Sequence, residues 1–439
     1  MNLSKVIYEW QGKIKDTVGI KRSSEDTLYN SFGSKPIKVI TGFRRTGKSF
    51  LVRQVANRLV AANKYKLENI LFLNFEDYEL SEVNNAVSLG KVYDFFRSNI
   101  ATLNEPLLVI LDEIQLVKDW DKFLRTIYEK NDNLEIIITG SNSQLLSAEI
   151  GTNLAGRFIE FFLYPFSFKE FLIYKNKSIE NLSEYYQNKI EIDSFFNEYV
   201  SYGGLPEVFD ISAKETKLSY ISGVLNKVIL DDIIKRFAVE NIEVFEQLTK
   251  YILANTGCLI SFAKLANHIG SYGKKIKPET LIKYCQYLTK AFAVFELNKF
   301  DWKQYKFFSQ SRKYLAIDTG LLSLVRSEKE NYYFRVENLV YLELLRRKNK
   351  VYFGMDITGK EIDFIVKDSM TEKIGNKIQV CLNLNKENYE RELQAFLQAD
   401  KFIKNSKNIL LTLDNSELIE FKGVKISKKN IIEWLIDNC

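Results

Sequence analysis

One short segment constrains the fold of this chain more than any other. Residues 42–49 read Gly-Phe-Arg-Arg-Thr-Gly-Lys-Ser, between an apolar run at 37–40 and a helical run at 50–60. The two glycines allow backbone angles and close approaches that a Cβ atom would block, so successive amide groups can point at phosphate oxygens from the start of a helix. The pattern therefore predicts a strand, a phosphate-binding loop and a helix that together bind a nucleoside triphosphate.

The residue types in this loop predict its ligands, ATP and Mg²⁺. Lys48 is expected to supply a point charge to the β- and γ-phosphates, and the Ser49 hydroxyl to complete the shell of the metal ion. Arg44 and Arg45 either add charge near the phosphates or face solvent. The predicted nucleotide contacts are Gly42, Phe43, Arg44, Arg45, Thr46, Gly47, Lys48, Ser49 and Phe50.

A second motif follows about sixty residues later. The run 107–113 reads Leu-Leu-Val-Ile-Leu-Asp-Glu, which is typical of a strand buried on both faces and ending in two carboxylates. Asp112 is predicted to hold the metal with Ser49, and Glu113 to polarise the attacking water, because adjacent side chains at a strand end point to different sides. The alternative is a surface Asp-Glu pair that merely closes a core strand.

Strand and helix signals alternate around these motifs, with strands at 70–75 and 136–139 and a helix at 120–129. Such alternation predicts an α/β fold in which a parallel sheet has helices on both faces and binds ligands at the carboxyl ends of its strands. The polar residues Ser141, Asn142 and Ser143 follow one of these strands, so they are expected to face the nucleotide.

Several further segments make the chain resemble a known family. They are Leu154-Ala155-Gly156-Arg157, Tyr164-Pro165-Phe166-Ser167-Phe168 and Gly203-Gly204-Leu205-Pro206-Glu207. With the two motifs above, they resemble the AAA+ ATPases of a large prokaryotic group. The resemblance implies a P-loop NTPase fold of AAA+ type, catalysis that also uses Ser141 or Asn142 as γ-phosphate sensor, and possible homo-oligomers. It also implies that Arg157 is either an arginine finger, in cis or in trans, or part of a structural ion pair.

The composition of the chain limits its possible partners, its cysteine chemistry and its cellular compartment. The chain has 439 residues, of which 46% are hydrophobic, and a net charge of +6, which neither demands nor excludes a nucleic-acid partner. The four cysteines lie far apart in the sequence, and with one histidine they favour neither a zinc ribbon nor a dense disulfide framework. No apolar stretch is long enough to span a membrane, so a cytoplasmic protein without a membrane partner is expected.

Residues 241–325 are predicted to form a winged helix. Three helical segments precede two β-like runs at 293–300 and 305–308, and Pro278 suits the first turn of the third helix. The lysines that would face double-stranded DNA are Lys274, Lys275, Lys277, Lys283, Lys299, Lys303 and Lys306. The alternative is that this domain contacts only a protein partner and that its lysines are an ordinary solubilising surface.

The last segment, 326–439, resembles a restriction-endonuclease-like core, in which one acid and an acid-x-Lys pair hold Mg²⁺. Asp363 matches the first acid, with Glu337 and Glu343 on a preceding helix, but Gln379 and Cys381 replace the acid and the lysine. Lys377, two residues earlier on the same strand face, could be a displaced lysine. We expect a degenerate nuclease fold used for binding.

The expected domain order is therefore an AAA+ core at 1–165, a helical lid and connector at 166–240, the winged helix at 241–325 and the small α/β domain at 326–439. The predicted function is an ATP-hydrolysing switch or motor acting on DNA or on a protein partner. The alternative function is an ATP-gated, metal-dependent DNA nuclease.

Overall fold

The computed structural model of the chain describes residues 2–102, 104–143, 154, 156–271, 276–300, 312–326, 328–355 and 359–437. The chain divides into two compact units. Unit 1 contains Met1–Pro165 with Lys290–Phe292, and unit 2 contains Phe166–Thr289 with Ala293–Cys439.

Unit 1 is built on a five-stranded parallel sheet with the order β2-β3-β4-β1-β5. Its strands are β1 (Ile37–Thr41), β2 (Ile70–Asn74), β3 (Leu107–Asp112), β4 (Leu134–Gly140) and β5 (Phe158–Phe162). Every residue of β1 and β3 is buried, as expected of strands covered on both faces. The predicted α/β fold class is confirmed.

The helices of unit 1 cover this sheet. They are α1 (Leu3–Lys15), α2 (Glu25–Asn30), α3 (Lys48–Ala61), α4 (Ala86–Asn99) and α5 (Trp120–Lys130), with short 3₁₀ turns at Leu67–Asn69, Tyr78–Leu80 and Ile114–Leu116. The first helix is fixed to β2 because Trp10 stacks on Phe72 at 4.9 Å between ring centroids and Gln11 Nε2 donates to the Ile70 carbonyl at 3.0 Å. The parallel arrangement places the carboxyl ends of β1, β3 and β4 side by side.

The helices of unit 2 lie before, between and after its strands. They are α6 (Phe168–Tyr174), α7 (Leu182–Gln187), α8 (Lys189–Tyr202), a 3₁₀ turn (Pro206–Val208), α9 (Lys214–Lys227), a π-helix (Val228–Ile234), α10 (Lys235–Phe237), α11 (Ile242–Ala254), α12 (Phe262–Ser271), α13 (Pro278–Lys290), α14 (Thr319–Leu322), α15 (Glu328–Arg346), α16 (Tyr389–Phe402) and α17 (Ile431–Ile436). Ser167 and Glu170 form a capping box at the start of α6, which satisfies two backbone amides that the helix leaves unpaired.

The strands of unit 2 join in one nine-stranded sheet with the order β13-β14-β12-β11-β10-β9-β7-β8-β6. They are β6 (Leu259–Ile260), β7 (Val294–Phe300), β8 (Arg312–Ala316), β9 (Asn349–Met355), β10 (Glu361–Asp368), β11 (Ile374–Val380), β12 (Lys407–Thr412), β13 (Glu417–Phe421) and β14 (Val424–Asn430). Lys299 and Phe300 of β7 pair in parallel with Phe353 and Gly354 of β9. The sheet is therefore continuous across position 325, where the sequence suggests a domain boundary.

The segment predicted as a winged helix has the order α11, β6, α12, α13, β7, β8, and β8 pairs antiparallel with both β6 and β7. The predicted strand at 305–308 and the residues Lys274, Lys275, Lys303 and Lys306 lie outside the described residues.

The Gly-Gly-x-Pro segment packs closely against a buried carboxylate in unit 2. Gly203 has a φ of 78°, and a Cβ atom there would lie 1.7 Å from Oδ1 of Asp318. The Asp318 carboxylate is 2% exposed and accepts hydrogen bonds from the amides of Gly204 at 2.7 Å and Gly320 at 2.9 Å. Only glycine at position 203 lets the backbone approach this buried carboxylate.

Within the described residues, every helix is too short or too polar to cross a membrane.

Candidate functional site at the carboxyl edge of the unit 1 sheet

The loop 42–49 connects β1 to α3 in the way that the sequence predicts. Gly42 lies so close to the chain at Leu163 that a Cβ atom would be 2.4 Å from the Leu163 carbonyl oxygen. Gly47 has a φ of 93° and is the N-cap of α3. The Thr46 hydroxyl donates to the Phe43 carbonyl at 2.9 Å, which closes the loop on itself. The loop is therefore a compact turn that leads into the amino end of a helix.

The ammonium group of Lys48 lies inside this loop. It donates to the carbonyls of Gly42 and Phe43, both at 3.1 Å, and its side chain is only 4% exposed. The same nitrogen lies 3.6 Å from Oε1 of Glu113. The contacts of this buried ammonium are long and therefore weak. An incoming anion can replace them by stronger contacts.

Asp112 ends β3 at the bottom of the site and is fully buried. Its Oδ1 accepts a hydrogen bond from the Thr139 hydroxyl, whereas its Oδ2 has no hydrogen-bond partner among the described residues. Burial, and then the charge of Glu113, raise the pKa of Asp112 to about 6, while the hydroxyls of Ser49 and Thr139 act in the opposite direction. An unpaired buried carboxylate oxygen beside a serine hydroxyl is a donor set that suits a hard cation such as Mg²⁺.

Glu113 follows Asp112 with a φ of 56°, which turns its side chain toward the loop. Burial alone would raise the pKa of Glu113, but the charge of Lys48 and the hydrogen bond from Gln115 outweigh burial and lower it. Glu113 is therefore ionised at neutral pH, as a proton acceptor must be. Sequence reasoning did not find Gln115, although its position two residues after the acid was available as a signal.

Ser141 and Asn142 follow β4 and are 1% and 2% exposed. Gln115 Nε2 lies 3.4 Å from the Ser141 hydroxyl, so Ser141 is in contact with the carboxylate cluster. Thr139, which the sequence interpretation did not select, bridges both acids, because its hydroxyl donates to Asp112 and accepts the Glu113 amide hydrogen at 3.0 Å. Thr139 lies one residue before the end of β4, the parallel strand beside β3, which is where such a residue is expected.

The arginines of the loop differ from each other. Arg44 forms an ion pair with Glu76 at 2.8 Å, and its charge helps to lower the pKa of Glu113. Arg45 is exposed and has a φ of 64°. Phe50, on the first turn of α3, is 39% exposed. Arg44 therefore belongs to the site and Arg45 lies at its surface.

Comparison with known proteins agrees with this geometry. Residues 34–172 match the sequence profile of an AAA domain, and residues 193–331 match a domain of unknown function (DUF8612). An uncharacterised protein of Haemophilus influenzae is 32% identical over 401 residues, which is 91% of this chain and 94% of the relative. The uncharacterised protein MJ1544 of Methanocaldococcus jannaschii is 33% identical over 90% of this chain and 86% of its own length. This chain belongs to their family.

The solved structure of a Walker-type ATPase of Pyrococcus abyssi is also similar. It is 17% identical, covers 71% of this chain and 99% of its own chain, and has a TM-score of 0.44. The AAA match and the sheet described above make the first part of the chain a P-loop AAA domain.

Arg157 of the AAA domain lies away from the loop. Its carbonyl accepts the amide hydrogen of Ile37 at 2.8 Å, so it stands where β1 begins, whereas the phosphate-binding loop follows the end of β1. Its guanidinium lies 3.4 Å from Glu129 in an exposed ion pair. Within one subunit, Arg157 therefore stands at the other end of β1 from the phosphate-binding loop, and its role as an arginine finger or in a structural ion pair stays a prediction.

Unit 2 contains a second cluster of buried charges. Lys313 forms an ion pair with Glu361, and the charges of Glu337, Glu361 and Asp363 outweigh burial and raise the pKa of Lys313. Burial raises the pKa of Glu337 to about 7 against the opposing charge of Lys313. Burial, and then the charge of Glu337, raise the pKa of Asp363 well above its ordinary value. One ammonium thus lies among three acidic side chains, and two of these acids, Glu337 and Asp363, have raised pKa values.

Only some of the residues predicted for a nuclease centre lie close together in this cluster. Gln379 Oε1 accepts the Asp363 amide hydrogen at 3.3 Å, so these two are neighbours. Lys377 is not a displaced catalytic lysine, because its ammonium binds Asp400 and the Ile403 carbonyl at the far end of α16. Glu343 instead pairs with Arg346, the last residue of its helix, and with Arg347, the next residue.

The Cys381 thiol is buried beside Gln379, and burial raises its pKa to about 11. Both residues line an open cavity of about 650 Å³. Among the described residues, no group of three or more His, Cys, Asp or Glu side chains is arranged to hold a metal ion.

Proposed function

We propose that the protein hydrolyses ATP to ADP and phosphate and uses this cycle as a switch on a macromolecular target. The observation that carries the proposal is the convergence of Lys48, Asp112 and Glu113 at one sheet edge, with 3.6 Å between the ammonium of Lys48 and the carboxylate of Glu113. A site with an available cation, an unpaired metal-side carboxylate oxygen and an ionised base suits phosphoryl transfer to water.

In this proposal each group has one task. The loop amides and Lys48 bind the phosphates, and the ammonium of Lys48 exchanges its contacts with Gly42, Phe43 and Glu113 for phosphate oxygens. Ser49 and Asp112 hold Mg²⁺, which neutralises charge on the phosphates when it is bound. Once Lys48 has turned to the phosphates, Glu113 is free to accept a proton from water, and Ser141 or Asn142 senses the γ-phosphate.

The test is ATP turnover by the wild-type chain and by Glu113→Gln. The variant keeps the shape and size of the side chain but cannot accept the proton, so turnover should fall by about 10²–10⁴-fold while ATP affinity is retained. Glu105→Gln is the matched control, because Glu105 is a surface residue that pairs with Lys66 in the same unit. Retained turnover in Glu113→Gln would refute the role given to this carboxylate.

We propose that unit 2 binds the macromolecular target. The order and pairing of α11 to β8 support a winged helix, and Lys277 and Lys283 are exposed at the start and on the surface of its third helix. Lys299 on β7 is partly exposed. A basic face of this kind favours the phosphates of double-stranded DNA. Turnover that is stimulated by DNA and weakened by salt would support DNA, and turnover indifferent to DNA would favour a protein partner.

The proposal also covers the cellular compartment and the oligomeric state of the protein. We propose a cytoplasmic protein, and the unpaired state of the described cysteines Cys258, Cys285 and Cys381 supports a reducing compartment. We also propose that copies of the chain associate when they bind ATP. Sedimentation with and without nucleotide tests this, and a single species of monomer mass in both conditions would contradict it.

A further inference from the structure

We propose that Gln115 positions both the base and the attacking water for hydrolysis. Its amide nitrogen holds Glu113, and its amide oxygen accepts a hydrogen bond from the water molecule that attacks the γ-phosphate. The inference rests on the proposed ATP hydrolysis and assigns to that reaction a residue outside both sequence motifs.

The backbone brings Gln115 back toward the acid. The 3₁₀ turn Ile114–Leu116 begins directly after Glu113, whose φ of 56° lies in the left-handed region. Residues other than glycine rarely adopt this conformation, and it persists where the surrounding structure fixes it. Here the Thr139 hydroxyl fixes it by accepting the Glu113 amide hydrogen at 3.0 Å. The turn then directs the side chains of residues 113 and 115 to the same place.

The contacts of Gln115 fix the orientation of its amide group. Its Nε2 donates to Oε2 of Glu113 and lies 3.4 Å from the Ser141 hydroxyl. Because the NH₂ group of the planar amide faces these two oxygens, the amide oxygen, at the other corner of the amide, faces elsewhere. The other carboxylate oxygen of Glu113 faces Lys48 at 3.6 Å.

The amide oxygen of Gln115 is buried, and no described residue donates a hydrogen bond to it. A buried acceptor without a donor costs free energy, so a site that retains one is suited to receive a donor from its ligands or from water. This acceptor belongs to a side chain that touches the proposed base. The geometry therefore pairs one proton acceptor, Glu113, with one hydrogen-bond acceptor, Gln115 Oε1.

The attacking water molecule has two hydrogens, and each of them needs an acceptor. In the attack, the water oxygen forms a bond to the γ-phosphorus, and the bond between that phosphorus and the oxygen bridging to the β-phosphate breaks, leaving its electron pair on ADP. One O–H bond of the water breaks and its proton goes to Glu113, while the second hydrogen remains on the new phosphate oxygen. An acceptor for that second hydrogen sets the direction in which the oxygen lone pair points.

The experiment compares Gln115→Leu and Gln115→Glu with the wild type. Leucine removes both hydrogen-bonding functions, and glutamate keeps an acceptor of the same length but loses the donor to Glu113. The matched control is Gln247→Leu, because Gln247 also donates to a glutamate, Glu243, at 3.3 Å, but on an exposed helix of unit 2. For each protein we would measure kcat, KM, the Kd for ATP and the Kd for ADP with aluminium fluoride, which imitates the transition state with its axial water.

We expect both Gln115 variants to lose about 10²-fold in kcat with little change in the Kd for ATP, and to bind ADP with aluminium fluoride more weakly by a similar factor. The control should match the wild type in all four quantities. A purely structural Gln115 would instead give variants with a lower melting temperature and an unchanged ratio of the two Kd values, which would overturn the inference.

Wild-type turnover that Gln115→Leu leaves within about twofold would also overturn the inference and leave ATP hydrolysis standing. A wild-type chain without turnover would refute the proposed function itself.

Discussion

Replacing Glu337 with glutamine should remove a pH dependence from the stability of unit 2. Glu337 lies on α15, is 3% exposed, and its Oε1 has no hydrogen-bond partner among the described residues. Burial raises the pKa of this carboxyl group to about 7 in the folded chain, against an ordinary value of 4.5. Glutamine has the same shape and imitates the protonated acid.

The sign follows from proton binding. Below about pH 4.5 both the folded and the unfolded chain hold the proton, and the contribution of Glu337 to stability is fully present. As the pH rises toward 7, the unfolded chain releases the proton while the folded chain retains it, so unfolding becomes more favourable. Because one pKa unit corresponds to about 1.4 kcal/mol, the wild type should lose about 3 kcal/mol across this window, and Glu337→Gln should lose little of it.

The assay is hydrogen exchange of peptides covering α15 in the full chain, at pH 5 and pH 8, converted to opening free energies. The control is Glu390→Gln, since Glu390 has a side chain that is 75% exposed. We expect the variant to gain about 3 kcal/mol over the wild type at pH 8 and only about 1 kcal/mol at pH 5. Parallel pH profiles for the two proteins would refute a protonated Glu337 in the folded state.

Three other changes have defined outcomes. Lys48→Ala should raise the Kd for ATP by about tenfold to hundredfold, measured by titration calorimetry, because it removes a charge-assisted hydrogen bond, and an unchanged Kd would contradict this role. Gly203→Ala places a Cβ atom 1.7 Å from Asp318 and should lower the free energy of unfolding of unit 2 by more than about 2 kcal/mol, whereas Gly223→Ala, with no atom within 4 Å of the new carbon, should be neutral or stabilising. Arg157→Ala should leave turnover at high dilution within about twofold of the wild type, since Arg157 stands at the start of β1 and the phosphate-binding loop follows the end of that strand, and a tenfold loss would contradict this interpretation.

The phosphate-binding loop and the strand that ends in Asp112 could be predicted from sequence because each is a local pattern with one structural solution. The two glycines allow the tight turn that leads into the helix, and an unbroken apolar run of this length favours a buried strand. That the two motifs lie close together could also be predicted, since parallel strands bring their carboxyl ends to one edge of the sheet.

The remaining contacts depend on residues distant in sequence. Lys377 does lie on the same strand face as Gln379, but its partner Asp400 comes 23 residues later. Lys313, whose ammonium pairs with Glu361, precedes that residue by 48 positions and lies on a different strand. Local periodicity carries no information about such pairs, because tertiary packing decides them.

The pairing of β7 with β9 has a practical consequence for fragment design. The match to a domain of unknown function ends at residue 331, so a fragment cut there would keep β7 and lose its neighbour β9. The backbone groups of Lys299 and Phe300 would then form an unprotected sheet edge, which is a ready template for pairing with other chains. Such a truncated protein would tend to aggregate during expression, whereas a fragment that begins at residue 166 and runs to the end retains every strand of the sheet.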